Sequence, residues 1–242
     1  MMVAIQWLRS LVFNVSIYVV MAIYAVVFFP FALFSRDWAF RACKAWCAYV
    51  RWAARWMVGL KTEVRGPIPQ GEVVVAAKHQ SFLDIILIFH ALPRARFIMK
   101  RELMYAPILG QYALRIGCVP VDRGKRGKAI EKMKADVEKG RLEPGQLIIY
   151  PQGTRVAPGE YLPYKVGTGI LYEQLEQPCI PVAANVGLFW PKRGVMRRQG
   201  TAVVEFLAPI QSGMAIKPFM AHLEDVIETR SAALNEEADP RP

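Results

Sequence analysis

Acidic residues are scarce in this chain, with 20 Asp and Glu against 31 Lys and Arg in 242 residues, which leaves a formal net charge of +11. Because that charge accompanies 54% hydrophobic residues, the anionic partner it implies is a membrane rather than a nucleic acid. Cysteine is scarce too. Cys43, Cys47, Cys118 and Cys179 offer no C-x-x-C spacing, so neither a zinc site nor a disulfide framework is indicated, and reduced thiols in a cytosol-facing protein are the default. The chain has no G-x-S-x-G elbow to present a nucleophilic serine. It has no G-x-x-x-x-G-K-[ST] loop either, and Gly167-Thr168-Gly169 is only a fragment of a dinucleotide fingerprint. No low-complexity linker or internal repeat divides it.

Charge is wholly missing from residues 11–34. At about 1.5 Å per residue such a helix is long enough to cross a hydrocarbon core of roughly 30 Å. No small-residue cleavage site follows before Ser35-Arg36-Asp37, which argues against a signal peptide. Next, Asp37, Arg41, Lys44, Arg51 and Arg55 form one polar stripe on a second helix, with Trp38, Trp46, Trp52 and Trp56 between them. That pattern suits the lipid–water boundary. We expect a two-helix membrane anchor over residues 1–60, either spanning or dipping into one leaflet, followed by one globular domain over residues 61–242.

That domain reads as α/β, with a mixed, largely parallel sheet flanked by helices. Val73, Val74 and Val75 form a short apolar run typical of a strand buried on both faces. From Phe82, the apolar residues Ile85, Ile86, Phe89 and Leu92 recur at helical spacing until Pro93. His79 therefore falls in a strand-to-helix turn, where α/β folds place ligands. Ser81 is the expected N-cap, and Ser81-Phe82-Leu83-Asp84 has the form of a capping box. Asp84 can serve the cap alone, or can also orient His79 as a base by holding one ring nitrogen. With no protein nucleophile in view, the nucleophile is a hydroxyl on the substrate. His90 and His222 fall in helices and read as structural.

Further strands are expected over 96–100, 117–123, 146–150 and 179–184, with a helix over 128–138. Several end on a basic residue or a glycine turn, which gathers anion-binding groups at one sheet edge. Arg123 and Arg155 are so placed, and Gly153-Thr154 can present backbone N–H groups to an anion.

His79-x-x-x-x-Asp84, Val119-Pro120-Val121-Asp122-Arg123, Tyr150-Pro151-Gln152-Gly153-Thr154-Arg155 and Ile180-Pro181-Val182-Ala183 occur in an order and at a spacing that resemble the four motifs of the glycerolipid acyltransferases. The likeness is to bacterial 1-acylglycerol-3-phosphate (lysophosphatidate) acyltransferases and covers roughly residues 64–207. It implies transfer of an acyl chain from acyl-CoA or acyl carrier protein to the sn-2 hydroxyl of lysophosphatidate, giving phosphatidate, with no cofactor and no metal. It also implies His79 as general base and Asp84 as its orienter. Lys100, Arg123, Gly153, Thr154 and Arg155 would bind the substrate phosphate, the Ile180 strand would line the apolar site, and Lys165 is a weaker phosphate contact. The implied location is the inner membrane, with the catalytic domain on its cytoplasmic face. Two residues depart from the family pattern. Lys78 stands where Asn is usual, which would lower the basicity of His79 by like-charge repulsion, and Gln152 stands where Glu is usual. The same residues are compatible with another lysolipid acceptor, such as a lyso-aminolipid, or with a non-catalytic module that binds anionic lipid.

Overall fold

Among the residues described by the computed structural model, 2–106, 108–121, 135 and 145–238, seven strands form one sheet. They are β1 (Leu60–Arg65), β2 (Val73–Ala77), β3 (Ala95–Lys100), β4 (Val119–Val121), β5 (Gln146–Ile149), β6 (Cys179–Ala184) and β7 (Gly200–Phe206). Their spatial order is β1-β7-β6-β2-β5-β3-β4. Neighbours run parallel except β6 and β7, so the sheet is mixed and largely parallel. The expected helix over 128–138 lies, but for Ala135, outside the described residues.

Every residue of β2 is buried, because helices cover both faces of the sheet. Val73, Val75 and Ala77 join a core shared with α1 (Met2–Phe34), α2 (Arg36–Ala53) and α3 (Phe82–Ala91), whereas Val74 and Ala76 point into a second core. That second core is closed by α5 (Gly167–Leu175) and α6 (Ile216–Ala238). α6 contributes Phe219, Leu223 and Ile227 at spacings of one helical turn, and its Leu234 packs with Ala183 and Val203 in a smaller cluster. Each such side chain stabilises the fold by about 1.5–3 kcal/mol on leaving water. A short helix, α4 (Leu109–Arg115), precedes β4.

α1 is long and apolar enough to cross a membrane, with a mean hydropathy of 2.4 over its best window. Yet it lies along the domain and is pinned at both ends. Near its start, Gln6 Nε2 donates to the carbonyls of Val58 at 3.0 Å and Arg197 at 2.8 Å. At its end, the Arg115 guanidinium donates to the carbonyls of Ala32 and Leu33. Between these ties Phe13 and Ile17 are fully buried, and Phe13 meets Trp190 edge to face. The opposite face exposes Val12, Val15, Val19, Val26, Phe29 and Leu33.

α2 corrects the expectation of a purely interfacial helix. Ala39, Ala42, Trp46, Val50 and Ala53 form a buried stripe on it, and the Trp46 indole N–H donates to the Ile17 carbonyl at 2.8 Å. Trp52 and Trp56 are exposed. Two of its charges, Lys44 and Arg51, are also half-buried. Asp37 pairs with Arg94 at 2.6 Å, and Arg51 meets Thr62 and His90. Reading the charged stripe as lying wholly at the lipid–water boundary overlooked that an arginine stem can lie over protein while its head finds a partner.

Candidate active site

The parallel register of β2 and β5, with Ala76 opposite Ile149, brings the carboxyl ends of these strands side by side. β3 lies beside β5, and β4 beside β3, with Lys100 opposite Val121. The segments leaving these strands therefore collect at one edge, as the sequence suggested. After β2 comes the turn carrying His79. After β5 come Tyr150 and a tight turn closed by the Gly153 N–H on the Tyr150 carbonyl at 2.8 Å. Arg123, just past β4, lies outside the described residues.

Asp84 is wholly buried and does two tasks with four hydrogen bonds. Its Oδ2 accepts the backbone N–H groups of Gln80 at 2.8 Å and Ser81 at 2.7 Å, while Ser81 Oγ accepts the Leu83 N–H. That completes the capping box of α3. Its Oδ1 lies 2.9 Å from His79 Nδ1 and accepts the Tyr150 hydroxyl at 3.0 Å. An ionised carboxylate only accepts, so the ring proton sits on Nδ1 and Nε2 keeps its lone pair. Tyr150 also stacks on the imidazole, with ring centroids 3.9 Å apart. Burial, with Asp84 adding, pushes the Tyr150 phenol well above its ordinary range, so it stays a donor.

His79 is 14% exposed and borders a cavity of about 470 Å³. Lys100, Thr154, Arg155 and Lys192 share that lining, and most of the remaining wall is apolar or aromatic. Met21, Ala25, Ala42, Cys43 and Trp46 come from α1 and α2; Phe89 comes from α3; Tyr112 and Ile116 come from the α4 region. α1 and α2 thus form part of the cavity wall. No residue of β6 lines it, so Ile180 does not, contrary to expectation; it is buried in the core beneath.

The cations are arranged unequally. Lys100 reaches Glu102 at 3.1 Å and is half-exposed. Arg155 and Lys192 clasp one another's backbone, Lys192 Nζ donating to the Arg155 carbonyl at 2.9 Å and Arg155 Nη1 to the Lys192 carbonyl at 3.4 Å. Thr154 is exposed and Gly153 half-buried. Gly153 has φ +68°, a conformation that favours glycine, and a Cβ there would lie 2.7 Å from Nζ of the flexible Lys165 side chain. Lys165 packs on this turn but does not line the cavity.

One expectation needs correction. Lys78 does not face His79; its side chain is 3% exposed and its ammonium is bonded to Glu228 on α6. Gln152, which stands where Glu is usual, is buried, and its amide donates to the Leu162 carbonyl at 3.1 Å, which ties down the loop. Residues the sequence did not single out are Tyr150 as a partner of Asp84, and Lys192. The strand end at Tyr150 was a visible signal for the first, whereas nothing local marked Lys192. Of the other histidines, His90 meets Arg51 at 2.9 Å and His222 is exposed on α6.

The arrangement can deprotonate a hydroxyl beside an apolar cavity with cations at its edge. The acyltransferase family model matches residues 61–185. The chain belongs to the acyltransferase family. It is 29% identical over 161 residues to a 1-acyl-sn-glycerol-3-phosphate acyltransferase of Pseudomonas aeruginosa, covering 66% of this chain and 63% of that protein. It is 32% identical over 163 residues to the Saccharomyces cerevisiae protein of the same name, covering 64% and 54%. The chain thus spans less than two thirds of the length of these relatives. The crystal structure of the 1-acyl-sn-glycerophosphate (LPA) acyltransferase PlsC from Thermotoga maritima superposes with a TM-score of 0.79 at 21% identity, covering 95% of this chain and 97% of that one. This acyltransferase therefore has the same fold.

Proposed function

We propose that this acyltransferase moves a fatty acyl group from acyl-CoA or acyl carrier protein to the sn-2 hydroxyl of lysophosphatidate, giving phosphatidate. The observation that carries the reading is one cavity bordered by an oriented imidazole and by Lys100, Arg155 and Lys192, with walls that are otherwise mostly apolar. The names of the relatives support the choice of acceptor.

In this mechanism the acceptor phosphate rests on Arg155, Lys100, Arg123 and the Gly153-Thr154 backbone, and the acyl chain fills the apolar cavity. His79 Nε2 takes the proton of the acceptor hydroxyl as its oxygen attacks the thioester carbonyl. Asp84 stabilises the imidazolium that forms. The tetrahedral intermediate collapses with cleavage of the carbon–sulfur bond, and the departing thiolate takes the proton from His79. No covalent acyl-enzyme is needed, since placement of the two substrates carries much of the barrier reduction.

The exposed apolar face of α1, with the helix tied to the domain at both ends, favours a position in one leaflet rather than across the bilayer. We assign the protein to the cytoplasmic face of the inner membrane. Its net charge of +11 suits anionic lipid, and also suits CoA or an acidic carrier protein as donor.

Purified protein given lysophosphatidate, a lyso-aminolipid or monoacylglycerol, with either palmitoyl-CoA or palmitoyl carrier protein, tests the reading by mass spectrometry. Lysophosphatidate should be the preferred acceptor. Arg155→Ala should lower its kcat/KM by about tenfold or more, about 1.4 kcal/mol, and leave monoacylglycerol acylation nearly unchanged. Equal use of lysophosphatidate and either other acceptor by the wild type, or equal losses on lysophosphatidate and monoacylglycerol in the variant, would overturn the assignment.

A further inference from the structure

Lys78 takes no part in the chemistry above, yet it is charged and buried. Its Nζ donates to both carboxylate oxygens of Glu228, at 2.7 and 2.5 Å. The Tyr164 hydroxyl donates to Glu228 Oε1 at 2.9 Å. Burial, with Glu228 adding, pushes the Tyr164 phenol far up, so it remains a donor. These three side chains come from distant parts of the sequence. Lys78 immediately precedes His79. Tyr164 immediately precedes Lys165, whose N–H holds the Pro151 carbonyl at 3.0 Å and whose ammonium lies against Gly153. One carboxylate on α6, on the face of the sheet opposite α3, therefore ties down both the turn bearing the base and the loop bearing Gly153, Thr154 and Arg155. A backbone bond on the site side, from the Val156 N–H to the His79 carbonyl at 2.8 Å, joins the same two segments.

Stability does not account for such an arrangement. A buried ion pair is seldom more stabilising than apolar residues of the same volume, whereas it does fix one geometry, and removing one partner leaves an uncompensated charge. The departure at position 78 fits this. Asn there would leave Glu228 without its cation.

We propose that Glu228 is a positioning residue that sets the distance between His79 and the anion-binding loop through Lys78 and Tyr164. The proposal rests on the acyltransferase reading of that site. Two variants test it. Lys78→Met/Glu228→Leu removes both charges and keeps the volume, but it leaves the Tyr164 hydroxyl without its acceptor, so its Tm should fall only by the few degrees that one unpaired hydroxyl costs. Tyr164→Phe removes one hydroxyl only. Backbone amide exchange measured by mass spectrometry should quicken by about tenfold or more over 78–81 and 151–166 in the double variant, and over 151–166 alone in Tyr164→Phe. In kinetics, the double variant should lose about tenfold or more in kcat, because the base is no longer held in line. Tyr164→Phe should raise KM for lysophosphatidate severalfold at nearly unchanged kcat. Unchanged exchange in both segments of either variant, or losses of activity that merely follow Tm, would overturn the proposal. Exchange does not depend on turnover. A wild-type protein that acylates no lysophosphatidate would sink the functional reading and leave the exchange result to decide the brace.

Discussion

Replacing Asp84 by Asn probes the base and its orienter with a change of one atom. Asp84 accepts four hydrogen bonds, two at each oxygen. Asn has one accepting oxygen, which the Gln80 and Ser81 N–H groups will claim, since both are buried backbone donors with no other partner to turn to. Its amide group then stands where Oδ1 stood and donates to His79 Nδ1. The ring proton moves to Nε2, and the lone pair that should accept the substrate proton is lost. Turnover should fall by about 10² to 10⁴, as expected for a histidine held in the wrong tautomer. The helix cap survives, so the stability cost is confined to the charge-assisted bonds, about 1–3 kcal/mol. Diacylated product measured by mass spectrometry, alongside thermal melting by circular dichroism, separates the two effects. A folded Asp84→Asn protein that keeps more than about a tenth of wild-type turnover would refute the tautomer reasoning.

Three other outcomes are expected. Gln152→Glu should lower stability by about 2 kcal/mol, because a carboxylate cannot donate to the Leu162 carbonyl and would be buried against it; a Tm equal to wild type would contradict that placement. His90 has its pKa lowered from 6.5 by burial, then by Arg51 and Lys44. Its unfolded form therefore binds more protons in that range, so its contribution is complete above pH 6.5 and is lost as pH falls towards the lowered value. The acid limb of urea-measured stability should consequently flatten in His90→Gln. Deleting residues 1–58 should yield an aggregated or inactive domain rather than a soluble active one, since Phe13, Ile17, Trp46 and Val50 belong to the main core and the lost helices wall the cavity. A monodisperse, active truncated protein would contradict this.

The parts of the fold that were legible in the sequence are those whose signal is local. Val73–Ala77 is a continuous apolar run, α3 repeats its apolar residues at helical spacing, and Ser81 with Asp84 marks the cap. The inner strands β3, β5 and β6 and the short edge strand β4 could be read from similar apolar runs. The edge strand β1, LKTEVR, alternates and exposes several residues, and β7 takes its place only by pairing with it and with β6. Such pairing is a long-range fact that no window of sequence contains. The same limit governs the site. His79 and Asp84 lie five residues apart and could be joined from sequence alone, but Tyr150 reaches Asp84 only because β5 lies beside β2. Lys192 meets Arg155 across a gap of 37 residues, and Lys78 finds Glu228 across 150. Lys78 was misread for a plain reason. Its place next to His79 along the chain suggested proximity in space, whereas adjacent residues at a strand end point to opposite faces of the sheet.

The most direct test of the central claim is a side-by-side assay of wild type and His79→Ala, purified in detergent, with lysophosphatidate and palmitoyl-CoA or palmitoyl carrier protein, following diacylated product by mass spectrometry. Wild type should form phosphatidate, and His79→Ala, at unchanged Tm, should retain no more than a few per cent of that rate. Phosphatidate formed at an equal rate by the folded variant would show that the oriented imidazole is not the base, and the mechanism would fall with it.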